Sequence, residues 1–131
     1  MKTIYMVHDL QESPAARQNL LEMAGYRVRV MQSSRDLFVS LKEEEPQLVL
    51  TDVLIEGKNG FETAREMHAK LPARSFPIVI TSRIYRARQF RDEALRSGAQ
   101  DYLLLPMKPD AFLGRLARAM QQHGESVDAA A

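Results

Sequence analysis

The sequence predicts an α/β fold in which five parallel strands form one sheet with helices on both of its faces. Two observations lead to this prediction. Short apolar runs alternate with amphipathic segments along the 131 residues, so that a strand–helix unit repeats five times. Most of the runs are apolar throughout, which is typical of strands buried on both faces of a parallel sheet and joined by crossover helices.

One of the five predicted strands differs from the others in its pattern. The second alternates polar and apolar residues, which indicates a half-exposed strand at an edge of the sheet. The apolar runs of the other four indicate burial. The predicted strands are TIYMV (3–7), YRVRVM (26–31), QLVLT (47–51), PIVIT (77–81) and DYLLL (101–105).

Capping residues mark the ends of the predicted helices. Ser13 and Pro14 supply an N-cap and a first helical residue, and glycines at 25 and 98 end the first and fourth helices. The last helix is predicted to begin at Pro109 and to end at Gly124. We therefore expect one domain over residues 1–123, followed at 124–131 by a flexible tail or the start of a linker.

Composition limits the classes of function. The net charge of +1 favours neither nucleic acid nor an anionic membrane as a partner. The absence of cysteine excludes disulfides, thiol catalysis and thiolate metal sites. No apolar run reaches the roughly 18 residues of a membrane span, and the N-terminus lacks the apolar core of a signal peptide. We expect a cytoplasmic protein.

Polar residues follow three of the predicted strands. His8 and Asp9 come after the first strand, Asp52 after the third and Ser82 after the fourth. A single aspartate at a strand end is also typical of a loop cap. However, right-handed crossovers place the carboxyl ends of parallel strands at one edge, where ligand and catalytic groups gather. The three positions together therefore favour a functional site.

Three segments resemble a known family. QLVLTDVLIEGKNGFE (47–62) is similar to the phosphoacceptor segment of receiver domains from bacterial two-component response regulators. GAQDYLLLP (98–106) resembles the fifth strand of that family, and MVHDL (6–10) its acidic turn after the first strand. The resemblance extends over residues 2 to 122. It implies a doubly wound, flavodoxin-like (βα)5 fold with strand order 2-1-3-4-5.

The resemblance also implies a chemistry, which is phosphoryl transfer from a histidine kinase to an aspartate, here Asp52. It makes Asp9 and Asp52 ligands of Mg²⁺, together with the backbone carbonyl of Leu54. Oxygen ligands of this kind suit Mg²⁺, which neutralises charge on a transferring phosphoryl group. Ser82 matches the hydroxyl residue that binds the phosphoryl group, and Tyr102 the aromatic residue whose rotation follows that hydroxyl. The domain would be a signalling switch and not an enzyme.

Two positions depart from the family pattern. The family usually has two adjacent acids after the first strand, and the first of these is His8. Leu105 replaces the lysine that usually precedes the proline after the fifth strand. Pro106 is present, and the resemblance implies that the Leu105–Pro106 bond is cis. Mg²⁺ prefers oxygen ligands, so we expect weak Mg²⁺ binding, with His8 as a further candidate ligand.

Two basic residues are candidates to replace the missing lysine. Arg83 follows Ser82 directly, and Lys108 lies three residues beyond Leu105. Either could place a positive charge near a phosphorylated Asp52. The alternative is that both are ordinary solvated side chains.

The predicted fourth helix suggests a docking surface. Arg86, Arg88 and Arg91 lie at its start, and with Tyr102 they fall on the face that the family uses for output, formed by the fourth helix, fifth strand and fifth helix. The resemblance implies a histidine kinase or phosphotransfer protein as one partner and a downstream signalling protein as another, with a homodimer as a further candidate assembly. The arginines are too few and too loosely spaced to indicate nucleic acid.

Two hypotheses remain open. In the first, the chain is an atypical receiver in which phosphorylation of Asp52 is weak and signalling runs through protein contacts. In the second, it is a pseudo-receiver, a protein-interaction module without phosphoryl chemistry. A flavin-binding domain of the same strand order is disfavoured, because HDLQESP (8–14) lacks the glycines of a phosphate-binding loop.

Overall fold

A computed structural model describes residues 2–130 of the chain, with their side chains through residue 124. Strands and helices alternate as predicted, and all five strands lie in one parallel sheet in the order β2-β1-β3-β4-β5. The elements are β1 (Thr3–Val7), α1 (Ala15–Met23), β2 (Arg27–Met31), α2 (Ser34–Glu43), β3 (Leu48–Asp52), α3 (Gly60–Lys70), β4 (Ile78–Ser82), α4 (Arg88–Arg96), β5 (Asp101–Leu104) and α5 (Pro109–Ala130). The predicted fold class and strand order are confirmed.

Helices cover both faces of the sheet, and each face has its own apolar core. On one face, α1 and α5 bury Leu21 and Leu116 against strand residues such as Leu50. On the other face, α2, α3 and α4 pack against the sheet, with Leu37 and Met67 fully buried. Apolar burial of this kind is the main source of stability in such a domain. The half-exposed β2 lies at the edge, as its alternating pattern predicts.

Small boundary differences place the polar strand-end residues within the sheet. The third and fourth strands end one residue later than predicted, at Asp52 and Ser82. The reason is inter-strand pairing, since Asp52 lies in register with Thr81 and the next amide, of Val53, donates to the carbonyl of Thr81 at 3.0 Å. Both residues are therefore held in extended backbone at the carboxyl edge.

Two predicted helix ends need correction. Pro14 is the N-cap of α1 rather than its first residue, and the helix begins at Ala15. The last helix does not end at Gly124 but continues to Ala130. Gly25 ends α1 with a positive φ of 99°, whereas Gly124 has no such φ and stays within the helix. Glycine disfavours a helix by only about 1 kcal/mol relative to alanine, so it does not by itself end one.

Two further findings concern the backbone and the helices. The Leu105–Pro106 peptide bond is cis, which confirms that prediction. None of the helices within residues 2–130 combines the length and the apolar character that a membrane span requires.

Candidate functional site

The carboxylate of Asp52 is the centre of the candidate site. It ends β3, and only 5% of the residue is exposed. One oxygen, Oδ2, accepts a hydrogen bond from the backbone N–H of Asp9 at 2.6 Å. The other, Oδ1, accepts from the hydroxyl of Thr81 and from Nη1 of Arg17, the latter at 3.0 Å. Asp52 is thus a buried carboxylate with donors on both oxygens, one of them a cation.

A narrow pocket opens beside Asp52 and contains a cluster of charges. Three carboxylates line it, those of Asp9, Glu12 and Asp52, with two guanidinium groups, those of Arg17 and Arg83. Arg83 Nε lies 2.6 Å from Glu12 Oε1, and Arg17 Nη2 lies 4.0 Å from Glu12 Oε2. Three acids against two bases leave the pocket with a formal charge of −1.

The cation in contact with Asp52 is Arg17, which the sequence analysis did not identify. Arg83 lines the pocket but pairs with Glu12, and Lys108 is an exposed residue outside the pocket lining. Leu105 does line the pocket and is buried, so an apolar side chain lies at the position where the resemblance implies a lysine. A sequence signal for Arg17 did exist, because it lies in the first turn of the helix after β1, and such first turns face the carboxyl edge of the sheet.

The position of His8 differs from that of a pocket ligand. The residue is buried, and its Nδ1 lies 2.9 Å from the carbonyl oxygen of Asp9. Its backbone N–H donates to Met31 at 3.0 Å, which ties it to β2. His8 is not among the residues that line the pocket beside Asp52. One of its two ring nitrogens is therefore already occupied by the chain.

Two of the carboxylates in the pocket are engaged in ion pairs, and the described side chains there are not arranged around a common point where Mg²⁺ could bind. Asp9 and Leu54, which the resemblance implies as Mg²⁺ ligands together with Asp52, line the pocket. However, the carboxylate of Asp52 is already paired with Arg17, and that of Glu12 with Arg83. Among the side chains that the structure describes, no group of three or more His, Asp and Glu is placed to hold a metal ion. The arrangement matches internal ion pairing better than an oxygen cage for a divalent cation.

Ser82 and Tyr102 are linked through a third residue, Tyr85. The Ser82 hydroxyl accepts from the backbone N–H of Tyr85 at 2.9 Å, and the Tyr102 hydroxyl donates to the carbonyl of Tyr85 at 2.6 Å. The Tyr102 ring stacks on Phe61 with centroids 6.0 Å apart. Burial raises the pKa of Tyr102 above its ordinary value of 10.0. The hydroxyl in contact with Asp52 belongs to Thr81, while that of Ser82 holds the loop before α4.

The arginines of the predicted docking surface have different roles. Arg86 Nη1 donates to the carbonyl of Leu105 at 2.7 Å. Arg91 Nη1 donates to Asp101 Oδ1 at 3.1 Å and to the carbonyl of Tyr102 at 3.3 Å. Arg88 is an exposed residue at the start of α4. All three line one groove between α4, β5 and α5, and Arg86 and Arg91 also hold its walls together.

Comparisons with known proteins show the family of the chain. The family model described as "Response regulator receiver domain" matches residues 4–117. The transcriptional regulatory protein ZraR of Escherichia coli K12 is 35% identical over 112 residues, which cover 86% of this chain and 24% of ZraR. The chain therefore spans about a quarter of the length of that curated relative.

Solved structures show the same fold. A putative response regulator from Chloroflexus aurantiacus J-10-fl superposes with a TM-score of 0.83 at 22% identity, covering 92% of this chain and 98% of that one. The beryllofluoride-activated NtrC4 receiver domain dimer gives 0.83 at 19% identity, covering 94% and 99%. Given the fold, the strand-end aspartate and a family model that matches most of its length, the chain belongs to the response regulator receiver domains of two-component signalling systems.

Proposed function

We propose that this domain is an atypical receiver in phosphorelay signal transduction, with Asp52 as the phosphoacceptor and protein contacts as its output. Receiver domains are signalling modules that generally bind Mg²⁺ at the phosphorylation site. The observation that carries the proposal is the position of Asp52, at the end of β3 and on the wall of a charged pocket. Hydrogen-bond donors and cations beside such a carboxylate can stabilise the charge of a transferring phosphoryl group.

The proposed reaction is a simple displacement. A carboxylate oxygen of Asp52 bonds to the phosphorus of a phosphohistidine on the donor protein as the P–N bond breaks. The electron pair of that bond stays on the imidazole nitrogen, which then takes up a proton. The extra negative charge on the pocket would be met by nearby donors, which are the guanidinium of Arg17 and the hydroxyl of Thr81.

The atypical character has two supports. Leu105 lines the pocket in place of a lysine, and a charge-assisted hydrogen bond of the kind it lacks is worth about 1.5–3 kcal/mol. Asp52 is also already paired with Arg17. We therefore propose that Mg²⁺ binds only weakly, at Asp9, Asp52 and the Leu54 carbonyl, and that phosphorylation is slow compared with a receiver that has the full set of residues.

The second candidate function is the pseudo-receiver, which does no phosphoryl chemistry. The pairing of Asp52 with Arg17 also favours a pseudo-receiver, because a carboxylate bonded to a guanidinium and to the Thr81 hydroxyl needs no ligand to compensate its charge. Such a module would signal only through binding. The two functions differ in whether Asp52 becomes covalently modified.

We propose two classes of partner, acting in the cytoplasm. One is a histidine kinase or phosphotransfer protein that donates to Asp52. The other is a downstream signalling protein that docks on the groove between α4, β5 and α5, where Arg88 is exposed and Tyr102 lies in the wall. Arginine and tyrosine are favoured anchors at protein interfaces. A homodimer is a further candidate, as NtrC4 is named as a dimer of receiver domains.

The test is intact-mass measurement after incubation with acetyl phosphate and Mg²⁺. We expect slow addition of one phosphoryl group to the parent protein and none to Asp52→Asn. The double variant His8→Asp, Leu105→Lys should label at least about tenfold faster, which corresponds to about 1.4 kcal/mol of barrier. Leu105 is buried, so this variant can lose about 1–3 kcal/mol of stability, and labelling is compared well below the melting temperature.

The outcomes separate the two functions. If neither the folded parent nor the folded double variant takes up phosphate, the pseudo-receiver is the correct function. If the parent labels as fast as the double variant, the missing lysine is unimportant and an arginine of the pocket serves in its place.

A further inference from the structure

Arg17 has the features of a built-in counter-ion. Only 14% of its side chain is exposed. Arginine is rarely buried unless it is paired, and Asp52 is the partner here. Its guanidinium contacts Asp52 directly at 3.0 Å, and its other terminal nitrogen lies 4.0 Å from Glu12. A guanidinium is more weakly hydrated than an ammonium group, which suits Arg17 to a buried ion pair.

Arg17 contacts Oδ1 of Asp52, an oxygen to which a metal ion could also bind. Asp52 Oδ2 accepts from the Asp9 amide, and Oδ1 accepts from both Thr81 and Arg17. A divalent cation such as Mg²⁺ binds carboxylate oxygens at about 2.0–2.1 Å and in nearly fixed directions. At Oδ1 it would compete with a guanidinium of the same sign of charge, and at Oδ2 it would lie in the same pocket as that charge. Each cation therefore opposes the binding of the other at Asp52 as long as Arg17 stays in place.

The pocket also offers a place to which Arg17 can move. Glu12 is partly exposed at the pocket rim and already lies within ion-pair distance of Arg17 Nη2. A change in side-chain rotamer would transfer the guanidinium from Asp52 to Glu12. Arg83, at 2.6 Å from the other oxygen of Glu12, would then share that carboxylate.

We propose that Arg17 is an internal cation that neutralises Asp52 in place of a metal ion, and that a divalent cation binds only when Arg17 is displaced. Arg17, and not the loss of an acid at His8, would then set the weak affinity for Mg²⁺. The proposal concerns the site of the proposed function and rests on it for its biological meaning. The cation competition itself needs no phosphorylation of Asp52.

The test is a Mg²⁺ titration of the unmodified protein, followed by the amide NMR signals of residues 52–55. We expect the parent to saturate only above millimolar Mg²⁺ and Arg17→Gln to bind at least tenfold more tightly. Arg17→Met serves as a second variant if Arg17→Gln does not fold. The added affinity should disappear in Arg17→Gln, Asp52→Asn, which locates the ion at Asp52.

Arg83→Gln is the matched control. It removes one positive charge from the same pocket without touching Asp52, since Arg83 pairs with Glu12. We expect its Mg²⁺ affinity to rise by less than threefold. His8→Asp alone should raise it less than Arg17→Gln does.

Three results would overturn the proposal. The first is a folded Arg17→Gln or Arg17→Met protein that binds Mg²⁺ no better than the parent. The second is an increase in Mg²⁺ affinity in Arg83→Gln equal to that in Arg17→Gln. The third is a larger increase in His8→Asp. The titration contains no phosphoryl donor, so failure of Asp52 to be phosphorylated leaves it unaffected. Conversely, failure of the titration leaves the mass-labelling test intact.

Discussion

Two buried aspartates, Asp52 and Asp101, lie on the strands that flank β4, one at the carboxyl ends of the parallel strands and the other at their amino ends. Asp52 ends β3 at the carboxyl edge, and Asp101 begins β5 at the amino edge. They are 5% and 9% exposed, respectively, and arginine contacts both. The two sites thus have the same chemical components, yet their geometries differ.

Asp101 is held in an ion-pair network with two arginines. Arg115 Nε and Nη2 each lie 2.7 Å from one of its oxygens, a bidentate contact, and Arg91 adds a bond at 3.1 Å. The backbone N–H of Tyr102 donates at 2.8 Å. Burial alone would raise the pKa of Asp101, but hydrogen bonds from Arg115, Tyr102 and Arg91 outweigh it and hold the pKa below 3.8. This carboxylate is an anchor between β5, α4 and α5.

Asp52 has fewer bonds to arginine and lies among like charges. A single nitrogen of Arg17 contacts it, and Asp9 and Glu12 line the same pocket. Bidentate arginine contacts add geometric specificity as well as energy, and single contacts add less. The chain thus uses aspartate and arginine for two purposes. A bidentate pair fixes helices to the sheet at Asp101, whereas a single contact in an acidic pocket holds Asp52, and this is the contact that we propose a divalent cation replaces.

The largest expected difference between the two sites appears when each aspartate is replaced by its isosteric amide. Asp101→Asn should lower the free energy of unfolding by about 2 kcal/mol, because it leaves two arginines without their shared carboxylate. Arg91 and Arg115 are partly exposed and can be solvated again, which keeps the loss below that of a fully buried pair. Asp52→Asn should lower the free energy of unfolding by less, about 1 kcal/mol, because Arg17 keeps Glu12 within ion-pair distance and repulsion from Asp9 in the same pocket is relieved. Urea denaturation at pH 7 measures both, and equal losses would contradict the distinction.

Acid titration provides a second test. A carboxyl with a lowered pKa in the folded state stabilises the protein above its unfolded pKa of 3.8, and that stability is lost as pH falls through the folded value. We therefore expect parent stability to fall below about pH 4 and the fall to be shallower in Asp101→Asn. Asp92→Asn, on the exposed side of α4, is the control for the change in charge. Urea midpoints between pH 7 and pH 3 give the slopes. Parallel curves for parent and Asp101→Asn would show that Asp101 does not carry the acid dependence.

The smallest expected effect separates the anchoring arginines from the exposed one. Arg91→Glu puts a carboxylate beside Asp101 and should lower the free energy of unfolding by about 1 kcal/mol. Arg88→Glu should lower it by less than about 0.5 kcal/mol. Arg88→Glu should nevertheless weaken binding of the downstream protein proposed to dock on this groove by about tenfold, as measured by calorimetry. Arg88→Gln controls for loss of the side-chain charge without its reversal. Unchanged binding in Arg88→Glu would place the docking surface elsewhere on the domain.

Much of the site could be predicted from local sequence. The strand-end positions of Asp9, Asp52 and Ser82 follow from where apolar runs stop, because the carboxyl ends of parallel strands share one edge. Arg17 and Thr81 could not be identified in this way. Thr81 contacts Asp52 because β3 and β4 pair with these two residues in register, so that their side chains point to the same face.

The order of strands and helices, the doubly wound class and the strand-end acids were determined by the sequence itself, since hydrophobic periodicity and chain reversals are local properties. The partners of those acids were decided only by tertiary structure. The rotation of α1, set by burial of Leu21 against the sheet, brings Arg17 to Asp52. The packing of α4 and α5 brings Arg91 and Arg115 to Asp101. Helix orientation depends on the summed packing of a whole face, so no short motif records which charge it delivers to which site.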